Sequence, residues 1–280
     1  MASTKASFGV EDFEIAADPK PLLLRLFRPE TQDPLPVVIN LHGGAWTKGD
    51  LNECRARDEA IAEAGIASAA LDFRHGGDGY PTSLIDINFA IRWIRDNAVN
   101  LGLDPARIGL AGQSSGGHLA MLAAMRPDEP GYRERTTGDP DASVSCVAMT
   151  WPVINPLSRY HHALRLRSSD DPPGWTADIP ERHDTYWRTE ANMAEGNPML
   201  ALERGEAVRT PPALWIQGTP DPIHDYRDPE SAIDGNEPER FAARYREAGG
   251  EIELVYIEQD GRAERSLAPL TNFLIARLNP

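Results

Sequence analysis

The 280-residue chain reads as an α/β protein with a mostly parallel central sheet flanked by helices. Three observations predict this. Short apolar runs of strand length alternate with longer segments of helical period. The run Ile108-Gly109-Leu110-Ala111 enters the turn Gly112-Gln113-Ser114-Ser115-Gly116 and leaves it as Gly117-His118-Leu119-Ala120-Met121-Leu122. That is strand, sharp turn, helix. Hydrophobic residues make up 41% of the chain, enough for a sizeable core in one domain over residues 1–280.

The elements follow in order. Phe13-Glu14-Ile15 and Leu22 to Phe27 read as an antiparallel lead-in pair. Pro36 to Leu41 is a short apolar run bounded by turn signals, hence a buried strand. Arg55 to Ala64 reads as a helix closed by Gly65, and Ile66 to Phe73 as the next strand. Ser83 to Leu101 is helical, because Leu84, Ile87, Ala90, Ile91 and Ile94 fall on one face. Strands at Ile108–Ala111, Val144–Thr150, Ala213–Gln217 and Ile252–Ile257 complete the alternation. Helices at Pro238–Ala248 and Leu267–Leu278 surround the last strand. Trp151 to Arg209 breaks the rhythm. It is rich in Pro, Trp, His and Arg, and it reads as an irregular lid at the sheet edge where ligands bind.

Charge and composition exclude several classes. A net charge of −15 argues against nucleic acid or another polyanion as partner. Cys54 and Cys146 are too few for a disulfide framework or a thiolate metal site. Met1-Ala2-Ser3-Thr4-Lys5 carries no apolar leader region, and no apolar run reaches membrane-span length. A soluble, cytoplasmic protein acting on a small molecule is the expectation. The pair His161-His162 with Asp170-Asp171 matches no defined ligand spacing, so no metal is expected. Gly76-Gly77-Asp78-Gly79 lacks the strand-to-helix spacing of a nucleotide fingerprint, so no cofactor is expected either. Trp151, Tyr160, Trp175, Tyr186 and Trp187 fit either an apolar pocket or the core of the lid.

The chemistry centres on Ser114. The tight turn exposes its hydroxyl above the sheet, and Gly112 and Gly116 give the backbone room. A serine hydroxyl is a poor nucleophile until a base takes its proton. Upstream, the strand ends in His42-Gly43-Gly44-Ala45-Trp46. Such a loop can aim the Gly44 and Ala45 N–H groups, together with that of Ser115, at a developing oxyanion. His42 reads as a residue that holds this loop, and His118 as one satisfying a local hydrogen bond. Downstream, Leu214-Trp215-Ile216-Gln217-Gly218-Thr219-Pro220-Asp221 places an acid after a strand.

These segments together resemble an α/β-hydrolase of the hormone-sensitive-lipase-like or carboxylesterase type, from about Leu22 to Leu278. Ala45 stands where the commonest third glycine of the oxyanion loop would be. The resemblance implies hydrolysis of a small carboxylic ester, with Ser114 as nucleophile and Asp221 as acid. It also implies a histidine after the last strand, but there the chain reads Ile257-Glu258-Gln259-Asp260-Gly261-Arg262-Ala263-Glu264-Arg265-Ser266. No histidine occurs after His224.

Three readings follow: another group serves as base, the base is lost and the fold binds a ligand, or the pocket runs a lyase or cyclase reaction. Arg262 and Arg265 cannot accept a proton. Asp260 or Glu264 would need a strongly raised pKa beside Asp221. His161, His162 or His183 would have to descend from the lid. His224 is the best substitute base by residue type, but it follows Asp221 by three residues, and a bridge from there to Ser114 is not expected. The sequence alone therefore predicts a slow or inactive esterase with an intact elbow and oxyanion loop.

Overall fold

Alternation of apolar residues in the strands gives the sheet two buried faces, and helices cover both. The computed structural model describes residues 6–138, 141–231 and 233–279, so the N-terminal Met1 to Lys5 lies outside the described residues. The strands are β1 (Phe8–Ala16), β2 (Leu22–Pro29), β3 (Leu35–Leu41), β4 (Ala67–Asp72), β5 (Leu103–Gln113), β6 (Cys146–Thr150), β7 (Ala213–Thr219) and β8 (Ile252–Glu258). Their spatial order is β1-β2-β4-β3-β5-β6-β7-β8. β1 and β2 pair antiparallel, as do β2 and β4, and every later pair is parallel.

In β3, Val37, Ile39 and Leu41 enter one core while Val38 enters the other. That is the period of two that a pleated strand imposes. The first face is covered by α2 (Thr82–Leu101) and α3 (Ser115–Met125), and the second by α1 (Arg55–Glu63) and α10 (Leu267–Leu278). Leu270, Phe273, Leu274 and Leu278 line the inner side of α10, each contributing about 2 kcal/mol by burial. Near the far ends of β3 and β6, Arg57 of α1 donates to Asn40 Oδ1 at 2.8 Å and to Thr150 Oγ1 at 3.0 Å. This buried network fixes α1 beneath the strand ends that carry the site.

The segment expected to be an irregular lid is helical instead. It holds α4 (Pro156–Arg167), α5 (Ile179–Trp187), α6 (Glu190–Glu195) and α7 (Pro198–Glu203). Pro156, Pro180 and Pro198 sit in the first turns of α4, α5 and α7, where a proline gives up an N–H that has no intrahelical partner anyway. Asn155, Thr189 and Asn197 cap α4, α6 and α7 by accepting from Ser158, Asn192 and Leu200 N–H. Before α10 come α8 (Glu237–Glu247) and the four-residue α9 (Arg262–Arg265). No helix among the described residues is long and apolar enough to cross a membrane.

Candidate active site

Ser114 sits between β5 and α3 with φ 52° and ψ −119°. A non-glycine residue in that region carries strain on the order of 1–3 kcal/mol. Three backbone bonds hold it. Ser114 N–H donates to Thr150 O at 3.0 Å, and Ser114 O accepts from His118 N–H at 3.1 Å and Val153 N–H at 3.2 Å. Gly116 is required next to it, since a Cβ there would lie 2.2 Å from His42 O. The elbow and the loop after β3 are thereby pressed together.

That loop bends through positive φ at Gly44, Ala45 and Trp46. At Gly44 a Cβ would stand 2.0 Å from Lys48 O, so only glycine fits. Among the described residues, the N–H groups of Gly44, Ala45 and Ser115 donate to no other protein group. His42 is buried, stacks on Phe73 at 4.3 Å and donates from Nδ1 to Gly43 O at 2.9 Å.

Ser114 Oγ lies 3.2 Å from His224 Nε2, and His224 Nδ1 lies 2.9 Å from Asp221 Oδ2. The bridge not expected from sequence is therefore present, and the expectation that no histidine reaches the serine is corrected. The reason is a turn. Asp225 N–H donates to Asp221 O at 2.7 Å and His224 N–H to the same oxygen at 3.2 Å, which curls the chain so that residues three apart share an edge. Asp221 Oδ1 also accepts from Ile223 N–H at 3.1 Å, fixing the carboxylate within its own turn.

The loop after β8 supplies a cation where the resemblance implies histidine. Arg262 donates from Nη1 to Asp221 Oδ2 at 2.6 Å and to Gln259 Oε1 at 3.1 Å. Its guanidinium stacks over Trp151, 4.3 Å from the ring centre. Asp260 and Glu264 are exposed instead of facing the serine. Burial works to raise Asp221, but the hydrogen bond and charge of His224 and the charge of Arg262 outweigh it and hold the carboxyl at about 2. Burial dominates at His224 and lowers its imidazole to about 4, against the opposing pull of Asp221. The imidazole is neutral at ordinary pH, with Nδ1–H on the acid and the Nε2 lone pair toward Ser114.

The other candidate bases lie elsewhere. His161 pairs with Glu190 at 3.2 Å. His162 stacks on Tyr226 at 3.9 Å. His183 is buried against Trp46, its Nδ1 on Ile179 O at 2.8 Å. Tyr186 and Trp187 belong to the core, whereas Trp151 and Trp175 each lie under an arginine. Arg262 and Gln217, whose Nε2 is 3.4 Å from Asp221 Oδ2, were not foreseen as partners of the acid. The signal for His224 was its spacing from Asp221 in a turn-forming Asp-Pro-Ile-His stretch.

The chain is similar to several known proteins. The BD-FAE family model matches residues 24–163. Esterase LipI of Mycobacterium tuberculosis is 32% identical over 241 residues, covering 82% of this chain and 65% of that protein. Carboxylesterase NlhH of the same organism is 38% identical over 100 residues, 35% of this chain and 31% of that protein. The chain thus spans about a third to two thirds of the length of these two relatives. Among solved structures, a Pyrobaculum calidifontis esterase superposes with a TM-score of 0.77 at 22% identity, covering 97% of this chain and 86% of that one. EstE1, a carboxylesterase cloned from a metagenomic library, gives 0.75 at 20% identity, covering 99% and 92%. At those identities the likeness establishes the fold alone, a mostly parallel sheet flanked by helices.

Proposed function

Because the chain belongs to the BD-FAE family, we propose that it is a carboxylic ester hydrolase whose nucleophile is Ser114, whose base is His224 and whose acid is Asp221. The observation that carries this reading is the continuous bridge of 3.2 Å and 2.9 Å from Ser114 Oγ through His224 to Asp221. Relatives named esterase and carboxylesterase support the reaction class.

The steps follow from the geometry. Ser114 Oγ attacks the ester carbonyl carbon while its proton passes to His224 Nε2. The carbonyl oxygen becomes an oxyanion, and the free N–H groups of Gly44, Ala45 and Ser115 receive it. Each such donor contributes about 3 kcal/mol to the transition state. The imidazolium then gives its proton to the departing alkoxide, leaving an acyl-serine and an alcohol. Water, losing a proton to Nε2, attacks the acyl carbon, and the proton returns to Ser114 as the acid leaves. Asp221 keeps the Nδ1–H tautomer throughout.

The ligand-binding and lyase readings rested on a missing base, and a histidine at the serine removes their motive. A short-chain ester assayed by pH-stat tests the proposal. Turnover by the native chain with loss in Ser114→Ala is expected. Equal rates in both, or none in either, would contradict it.

A further inference from the structure

Arg159 lies on α4 and is 4% exposed. Among the described residues its guanidinium has no carboxylate partner, and its Nε and Nη1 are enclosed with no hydrogen-bond acceptor. The contrast with Arg240 is sharp. Arg240 is similarly buried at 6%, yet it gathers Glu203, Asp228 and Glu237. A desolvated, unpaired cation is costly, and the flat face of Trp175, 5.2 Å away, offsets only part of that cost.

The unpaired guanidinium borders a small cavity with Val153, Asn155, Ile223, His224 and Glu237. His224 is thus a wall of this cavity and also the neighbour of Ser114 Oγ. The backbone of Val153, another wall, donates to Ser114 O. The cavity measures about 10 Å³, the room that one oxygen-sized atom needs.

We propose that Arg159 is a substrate-binding residue that receives the carboxylate of an anionic ester, one oxygen of which enters this cavity while the ester carbonyl lies at Ser114. The inference rests on the hydrolytic reading and adds a substrate class to it. The chain carries a net charge of −15, so its long-range field does not favour anions. A preference for a carboxylate must come from a local cation. Guanidinium suits the task, because its planar donors match a carboxylate. Glu237 Oε2 is also enclosed there without a partner. Burial raises that carboxyl to about 7, which removes part of its charge near neutrality and leaves a proton to donate.

Monoethyl succinate and ethyl butyrate test this, since they differ only in a carboxylate for a methyl group. The native protein should show a kcat/KM ratio favouring monoethyl succinate by about tenfold or more, the scale of one charge-assisted contact. Arg159→Gln should bring the ratio to about one, and Arg159→Lys should retain part of it. A native ratio near or below one, as expected if the cavity holds only a structural water, would overturn the proposal. So would an Arg159→Gln protein that keeps the native ratio. Calorimetry on Ser114→Ala separates this test from the hydrolytic reading. Monoethyl succinate should bind that variant measurably and bind Ser114→Ala/Arg159→Gln at least about tenfold more weakly. Equal binding to both would overturn the proposal whether or not either ester is hydrolysed.

Discussion

His224 reaches Ser114 from within the acid loop because the turn at Asp221 sets both side chains on one edge. Arg262 then occupies the other flank of Asp221, so one carboxylate oxygen serves an imidazole at 2.9 Å and a guanidinium at 2.6 Å. This arrangement has a pH signature. As the proposed base, His224 works only when neutral, and burial lowers it to about 4, below its ordinary value of 6.5. Falling pH therefore leaves kcat/KM nearly flat from pH 7 to 5, and the acid limb is centred near 4. Asp221, held at about 2, stays ionised across that range. The Arg262 cation disfavours imidazolium, so Arg262→Gln raises the His224 pKa and moves the acid limb to higher pH. A pH profile of kcat/KM for both proteins checks this. An unmoved limb, or one moved down, would remove Arg262 from the electrostatics of the base.

The inserted helices are tied to the site at two places. Tyr226, just past His224, stacks on His162 of α4 and donates its hydroxyl to Ser158 Oγ at 3.1 Å. On the other side, Trp46 Nε1–H donates to His118 Nδ1 at 3.2 Å, and His118 Nε2–H donates to Gly196 O at 2.8 Å. The second tie runs from the loop after β3, through α3, to the end of α6. It needs the neutral imidazole, and burial ensures that by lowering His118 to about 4. His118→Ala strips a buried donor and a buried acceptor of their partners and opens a cavity. Thermal or urea unfolding should show a loss of roughly 2–4 kcal/mol. The kcat should fall as well, because the loop bearing Gly44 and Ala45 loses its brace. Unchanged stability with unchanged kcat would mean that the tie holds nothing.

At the scale of the whole molecule, the sheet was legible because its signals are local. Apolar runs mark β3, β5 and β7, and each ends in a segment with its own chemistry: His42 to Trp46, Gly112 to Gly116, and Gly218 to Asp221. All three converge at the carboxyl edge, where such sheets hold their sites. The inserted helices were hidden because they are short, polar and begin with Pro156 and Pro198, which read as breakers when taken alone. The place of His224 beside the serine was hidden for a different reason. Whether an imidazole three residues after an acid can also touch Ser114 depends on the turn and on where β5 lies beside it, and spacing alone does not encode that. The isolation of Arg159 is likewise a property of what fails to surround it in space. The central claim is that His224 activates Ser114, and the rate of fluorophosphonate attachment to Ser114 measures this most directly, with mass spectrometry locating the adduct. The native protein should label at Ser114, and His224→Ala, with its melting temperature checked, should label more slowly by a factor on the order of 10³. Labelling of His224→Ala at the native rate would contradict the account.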